Sequence, residues 1–352
     1  MLTKTFAILA GAIVASCANS TQSNDADLPV LLEDAGSPTS GEDASTPQAD
    51  IGDTDPNVVA TVGPAARLEI DGTNVYWGEE FYDYPWAMFP RVVVKSISKI
   101  GGLQTTLAEF PALVAWSLGV DATNVYVGSG DRDDTCWMPP CAAPETLRAI
   151  PKAGGAVKAI AHCGAGQFAS DDDSIFCGGW AGATEDSPSG ILRVPVGQGS
   201  PVVLNDAHLV DNVTIYDADV FFGDYGILMR MPKTGGEPTN LYSRPLGGAS
   251  ALKVDSHFVF FVTHQRLYKV PRLGGEPLLL HTGAGPITSL DARDGHVFWT
   301  EPECLGVISS DGVGGRCIET QGKPRSVRVD DSAIFFIRDR TAKMREIVRL
   351  AR

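Results

Sequence analysis

The apolar positions of this chain fall into a short phrase that recurs seven times: a polar turn, a Val or Ile, then two bulky residues that are mostly aromatic. The cores are Val75-Tyr76-Trp77, Val125-Tyr126-Val127, Ile175-Phe176-Cys177, Val220-Phe221-Phe222, Val259-Phe260-Phe261, Val297-Phe298-Trp299 and Ile334-Phe335-Phe336. Each run is apolar at successive positions rather than alternating, which suits a strand buried on both faces. A second apolar phrase ending in a glycine turn follows six of them, as in Ile150-Pro151-Lys152-Ala153-Gly154-Gly155. Turn residues recur at strand-and-turn spacing through residues 58–352, and helical periodicity is absent. This self-similarity predicts an all-β, seven-bladed β-propeller of four-stranded antiparallel blades.

The ends of the repeat region fit together. After Ile334-Phe335-Phe336 the chain has room for one more strand, around Glu346-Ile347-Val348, so the seventh blade lacks its fourth. Val58-Val59-Ala60-Thr61-Val62 precedes the first repeat and belongs to none. Donating that N-terminal strand to the last blade closes the ring and removes two exposed sheet edges.

The phrase Val297-Phe298-Trp299-Thr300-Glu301, with Ile308 and the Gly314-Gly315 turn, resembles the YWTD repeat of lipoprotein-receptor propellers. More broadly, residues 58–352 resemble exported bacterial propellers related to that group and to NHL repeats. The resemblance implies architecture and leaves activity open. Departures occur: Cys177 replaces a bulky residue, and Tyr216 and Arg293 stand where other repeats carry Asp.

Those aspartates, Asp71, Asp121, Asp171, Asp255 and Asp330, end the inner strands. A ring of carboxylates could hold a cation, but Asp capping the following turn is the simpler expectation. The glycine pairs at 101–102, 154–155, 235–236, 274–275 and 314–315 precede strands and lack a Lys-Ser/Thr, so they read as hairpin turns, not phosphate loops. The six histidines have no metal-ligand spacing, and no nucleophile elbow or His-Glu-x-x-His is present. No catalytic residue, metal site or cofactor is therefore assigned.

Repeat length is uneven. Intervals between successive cores are 50, 50 and 45 residues, then about 38. The excess lies between the second and third strands of blades 1, 2 and 3. It brings Tyr82, Tyr84 and Trp86 in blade 1, Trp137 with Cys136 and Cys141 in blade 2, and Trp180 in blade 3. Aromatic-rich loops make recognition surfaces, because flat rings supply contact area at low entropic cost. These residues are the expected binding anchors.

The first seventeen residues read as an export signal, with Lys4 before a short apolar run from Phe6 to Val14. Val14-Ala15-Ser16-Cys17 resembles a bacterial lipobox, which implies lipidation of Cys17 and a stable membrane anchor. Residues 18–57 carry nine acids and no Lys or Arg, with much Ser, Thr, Gly, Pro and Ala. That composition predicts a disordered acidic tether. About half of the net charge of −15 sits there, so the repeat region is only mildly acidic. It has no basic stripe to replace counterions, which excludes nucleic acid as the expected partner.

Six further cysteines, Cys136, Cys141, Cys163, Cys177, Cys304 and Cys317, suit disulfides in an exported chain. Proximity favours Cys136–Cys141 and Cys163–Cys177. Cys304–Cys317 remains by elimination, although a hairpin centred on Gly314-Gly315 places those two several positions apart. The combined expectation is a cell-envelope lipoprotein, at the outer membrane because Ala18 and Asn19 lack an inner-membrane retention Asp. It would act as a binding or scaffold module for a protein or glycan. The alternative is a propeller lyase or hydrolase with its site in the axial funnel.

Overall fold

The computed structural model describes residues 55–81, 91–111, 113–131, 145–163, 167–179, 190–196, 200–206, 210–224, 226–243, 249–341 and 344–352. They form seven four-stranded antiparallel sheets arranged as the blades of a closed propeller. Blade 1 runs Ala65–Ile70, Asn74–Phe81, Arg91–Ser98 and Thr105–Phe110, and blades 2 to 6 repeat that up-and-down order from the inner strand outward. Blade 7 takes Lys323–Val329, Ala333–Asp339 and Arg345–Ala351 from the C-terminal end of the chain. Its outer strand is Val58–Val62, pairing Ala60 with Ile347 and Val62 with Arg345. Closure by an N-terminal strand is thus as the sequence predicts.

The double aromatic positions have a packing cause. Seven apolar clusters lie among the described residues, one in each seam between neighbouring blades. Consecutive residues of a second strand point to opposite faces, so each bulky pair serves two seams. Trp77 enters the seam between blades 7 and 1, whereas Tyr76 enters that between blades 1 and 2. Phe261 and Phe260 divide in the same way between the blade 4–5 and blade 5–6 seams. These side chains are all but fully buried. Each contributes about 2–3 kcal/mol of burial relative to exposure. Trp299 lies over Gly306 on the facing strand, where a Cβ would stand 2.0 Å from the indole.

Two disulfides join described residues. Cys163 follows the outer strand of blade 2 and is bonded to Cys177 in the second strand of blade 3, with 5.9 Å between Cα atoms. Cys304 and Cys317 are bonded within blade 6, 5.5 Å apart at Cα. The register expected for this second pair is corrected. Leu305 faces Ile318 and Gly306 faces Cys317, so the reversal centres on Asp311-Gly312 and not on Gly314-Gly315. Gly312 takes a φ of 96° and its N–H donates to the Ser309 carbonyl, 2.8 Å away. That earlier turn slides the outer strand back until the cysteines meet. Cys17, Cys136 and Cys141 lie outside the described residues.

Candidate functional site

Antiparallel blades place their connections on two rims. The second-to-third connections share one rim with the blade-to-blade links, and the other two connections of each blade share the opposite rim. On the first rim, the long segments of blades 1 to 3 begin and end at facing residues: Phe81 with Arg91, Gly130 with Glu145, and Gly179 with Gly190. The Arg91 guanidinium lies over the Phe81 ring at 4.8 Å and pairs with Glu109 at 3.0 Å. The expected anchors Tyr82, Tyr84, Trp86, Trp137 and Trp180 lie outside the described residues, between these strand ends.

On the opposite rim the aspartates cap turns, as expected. Asp71 Oδ1 accepts from the N–H groups of Thr73 and Asn74, both at 2.8 Å, and Asp121, Asp171, Asp255 and Asp330 repeat the pattern. Sequence reading missed what their other oxygens do. One position past each third strand, a residue donates its N–H to the inner turn of its own blade: Lys99, Lys152, Val196, Lys233, Arg272, Ser310 and Arg352. Three of these reach the preceding blade's acid: Lys99 to Asp330, Lys152 to Asp71 and Lys233 to Asp171, at 2.5, 2.6 and 2.7 Å.

The two departures fit this clasp. Where Tyr216 replaces Asp, Arg272 lies over its ring at 4.6 Å. Where Arg293 replaces Asp, Arg352 pairs one residue later with Asp294 at 2.5 Å, and Arg293 itself pairs with Asp331.

Burial raises the Asp71 carboxyl, but Lys152, the Tyr76 hydroxyl and two backbone N–H groups outweigh it and hold the group well below the usual carboxylate range. Burial likewise opposes Lys99 and the turn donors at Asp330, which is nevertheless held at about 2. These carboxylates are ionised partners of lysines, and their role is to fasten blades together.

The axis of the ring holds a polar cavity of about 510 Å³, lined by inner strands of all seven blades. Two positions before each inner turn stand Glu69, Gly119, Ala169, Thr214, Lys253, Asp291 and Arg328. Four are charged and alternate in sign on blades 5, 6, 7 and 1. Arg328 grips Glu69 through two bonds of 2.5 and 2.8 Å. Lys253 stands 3.6 Å from Asp291, whose Oδ2 accepts from the Val329 N–H. Gly119 faces the Phe168 ring, which leaves no room for a Cβ there. Two residues higher on blades 1 and 2, Arg67 and Ser117 also line the cavity. This site was not visible in the sequence, because each blade supplies only one or two of its residues.

A third feature lies by the blade 5–6 seam, where a groove is lined by His281, Trp299, Glu301 and the Cys304–Cys317 bridge. Buried Glu301 accepts from the Trp299 indole at 3.2 Å and from the Ala284 N–H at 2.9 Å, and lies 3.1 Å from His281. Glu79 repeats the motif in blade 1, bonded to the Trp77 indole and to Lys95, each at 2.8 Å. The repetition marks a Trp-x-Glu structural brace. No group of three or more His, Cys, Asp or Glu positioned for a metal occurs among the described residues.

No family model matches the sequence, and no curated protein matches it either. Solved structures match in fold. A chain of a mitotic checkpoint complex aligns over 92% of this chain and 99% of its own, at 10% identity and TM-score 0.57. The extracellular domain of the putative hybrid two component system BT4673 from B. thetaiotaomicron aligns over 83%, at 11% identity and TM-score 0.55, and the match covers 40% of that longer chain. The computationally designed Ika8 protein aligns over 82% of this chain and 96% of its own, at 11% identity and TM-score 0.52. Identities this low speak for the propeller alone.

Proposed function

We propose that this chain is a binding or scaffold module of the bacterial cell envelope. It is exported, lipidated at Cys17, held off the outer membrane by residues 18–57, and binds a protein or glycan through the rim of blades 1 to 3. The observation that carries this reading is the placement of the three long insertions: they leave one rim of three consecutive blades, between Phe81 and Arg91, Gly130 and Glu145, and Gly179 and Gly190. The reading takes Tyr82, Tyr84, Trp86, Trp137 and Trp180, carried by these insertions, as the anchors, because aromatic side chains contribute most at recognition surfaces. The two disulfides suit an oxidising compartment beyond the cytoplasm.

The test compares the full chain with a variant whose segments 82–90, 132–144 and 180–189 are each replaced by a short turn. Both are offered envelope extracts and a glycan array. A partner retained by the parent and lost by a variant of unchanged circular dichroism supports the reading. Equal capture by both moves the site off this rim. Anchoring is checked separately: Cys17→Ser should abolish metabolic acyl labelling and release the protein from the membrane fraction.

A further inference from the structure

We infer that the outer end of the blade 6–7 seam is a binding site for a small apolar carboxylate, an aliphatic acid whose head group is held by Arg316. The site lies on the rim opposite the long insertions and does not depend on the reading above. An open cavity of about 470 Å³ sits there. Phe298, Val307 and Ile334 form its buried floor, half-buried Ile318 and Leu350 its sides, and exposed Arg316 and Arg352 its edge.

The cavity has a cause in the repeat. Four blades set a long cation opposite the first aromatic of the core: Arg193 faces Phe176, Arg230 faces Phe221, Lys269 faces Phe260 and Arg349 faces Phe335. Blades 1 and 2 have small residues there, and their aromatics are Tyr76 and Tyr126, whose hydroxyls donate to Asp71 and Asp121. Blade 6 alone sets an aliphatic residue, Val307, against a phenylalanine, Phe298. In the neighbouring seam Lys269 crosses to the Ser310 carbonyl of blade 6 at 2.7 Å, a reach that Val307 lacks. The outer strand of blade 7 does not close the opening. Asn57 accepts from the Arg349 N–H, and the chain turns at that point, with the Val58 N–H donating to the Asp55 carbonyl. No described strand pairs outside Leu350 and Ala351.

The lining sets the ligand chemistry. An apolar floor favours an aliphatic body. No acidic side chain lines the cavity, although the chain carries a net charge of −15. Arg352 is answered by Asp294 at 2.5 Å, whereas Arg316 has no hydrogen bond or ion pair among the described residues. Its planar guanidinium is accessible and suited to paired N–H bonds with a carboxylate. The volume lies within the range of small-molecule sites.

The test titrates sodium decanoate, below its micelle concentration, into the full chain carrying Cys17→Ser, so that no acyl anchor competes. Calorimetry should show saturable binding at one site. Decyltrimethylammonium, with the same chain length and the opposite charge, should bind at least about ten-fold more weakly. Arg316→Gln should weaken decanoate binding about three- to ten-fold and leave the melting temperature unchanged. Val307→Lys restores the side chain of blade 5 and should abolish saturable binding. If circular dichroism shows that variant misfolded, Ile318→Phe narrows the cavity from its half-buried side and carries the same expectation. Lys158→Gln removes a cation from the matching outer-strand position of blade 2 and should change nothing. Absence of saturable decanoate binding overturns the inference. So does equal affinity for decyltrimethylammonium, wild-type binding in Arg316→Gln, undiminished binding in a folded cavity-filling variant, or equal weakening by Lys158→Gln.

Discussion

Lys99→Met tests the clasp across the seam where the ring closes. Lys99 leaves blade 1 and meets Asp330 of blade 7 at 2.5 Å, with side chains only 11% and 22% exposed. Its ammonium also lies 5.4 Å from the centre of the Phe335 ring. Methionine keeps much of the aliphatic stem and removes the charge. The Asp330 carboxyl is held at about 2 against an ordinary 3.8. At 1.36 kcal/mol per pKa unit that difference is at most about 2.5 kcal/mol, and solvent screening lowers it to about 1–2 kcal/mol. The N–H groups of Ser332 and Ala333 and the Ser332 hydroxyl share the effect, so the Lys99 part is about 1 kcal/mol. For a ring of this size the melting temperature should fall by about 2–4 °C.

The pH dependence separates charge from packing. A carboxyl whose folded pKa is depressed stabilises the fold above its unfolded pKa and loses that contribution as pH falls through the folded value. The gap between wild type and Lys99→Met in urea denaturation should therefore be full above about pH 5 and shrink between about pH 4 and pH 2. An equal gap at pH 7 and pH 2.5 would show that Lys99 acts by packing on Phe335, and no gap at pH 7 would remove the clasp from the account of stability.

Three other outcomes follow from the fold. Replacing Cys304 and Cys317 by Ser opens a loop spanning 13 residues of sequence separation and should cost about 3 kcal/mol by urea denaturation, with a similar loss for Cys163 and Cys177. Deleting residues 58–62 strips blade 7 of its outer strand and exposes the edge of Arg345–Ala351, so light scattering should report association where the parent stays monodisperse. Tyr216→Asp should restore the acid that Lys99, Lys152 and Lys233 find elsewhere. Arg272 then pairs with it, and stability at pH 7 should stay within about 1 kcal/mol of wild type, whereas Tyr216→Ala should lose about 2 kcal/mol.

Blade number and closure were legible because their causes are local. Each second strand must fill two seams, so it shows two bulky residues in succession, as in Phe335-Phe336 and Phe260-Phe261. The orphan Val58–Val62 was readable from its β-branched composition and the missing fourth strand of blade 7. The clasp was not readable. Lys99 and Asp330 are 231 residues apart, and only the closed ring brings the first blade against the last. The Cys304–Cys317 pair was obscured by a sequence with two glycine turns, of which the earlier one sets the register. The axial cavity has no linear signature, since Glu69 and Arg328 meet only around the axis.

Departures from the aspartate pattern in this ring are compensated by their neighbours. Tyr216 and Arg293 break the aspartate pattern, yet each break is answered: Arg272 covers the tyrosine, and Arg352 with Asp331 absorbs the arginine and its neighbouring acid. Such compensated changes preserve the blade seam and need no ligand. Serine at the position of Ser117 is likewise structural where it recurs, since Ser289 accepts from the Val327 N–H and Ser326 from the Leu68 N–H of the next blade, each at 3.0 Å. Bonds that recur in this way hold the ring together, and the recognition surface proposed above is sought instead where the repeat lengthens, between the second and third strands of blades 1 to 3.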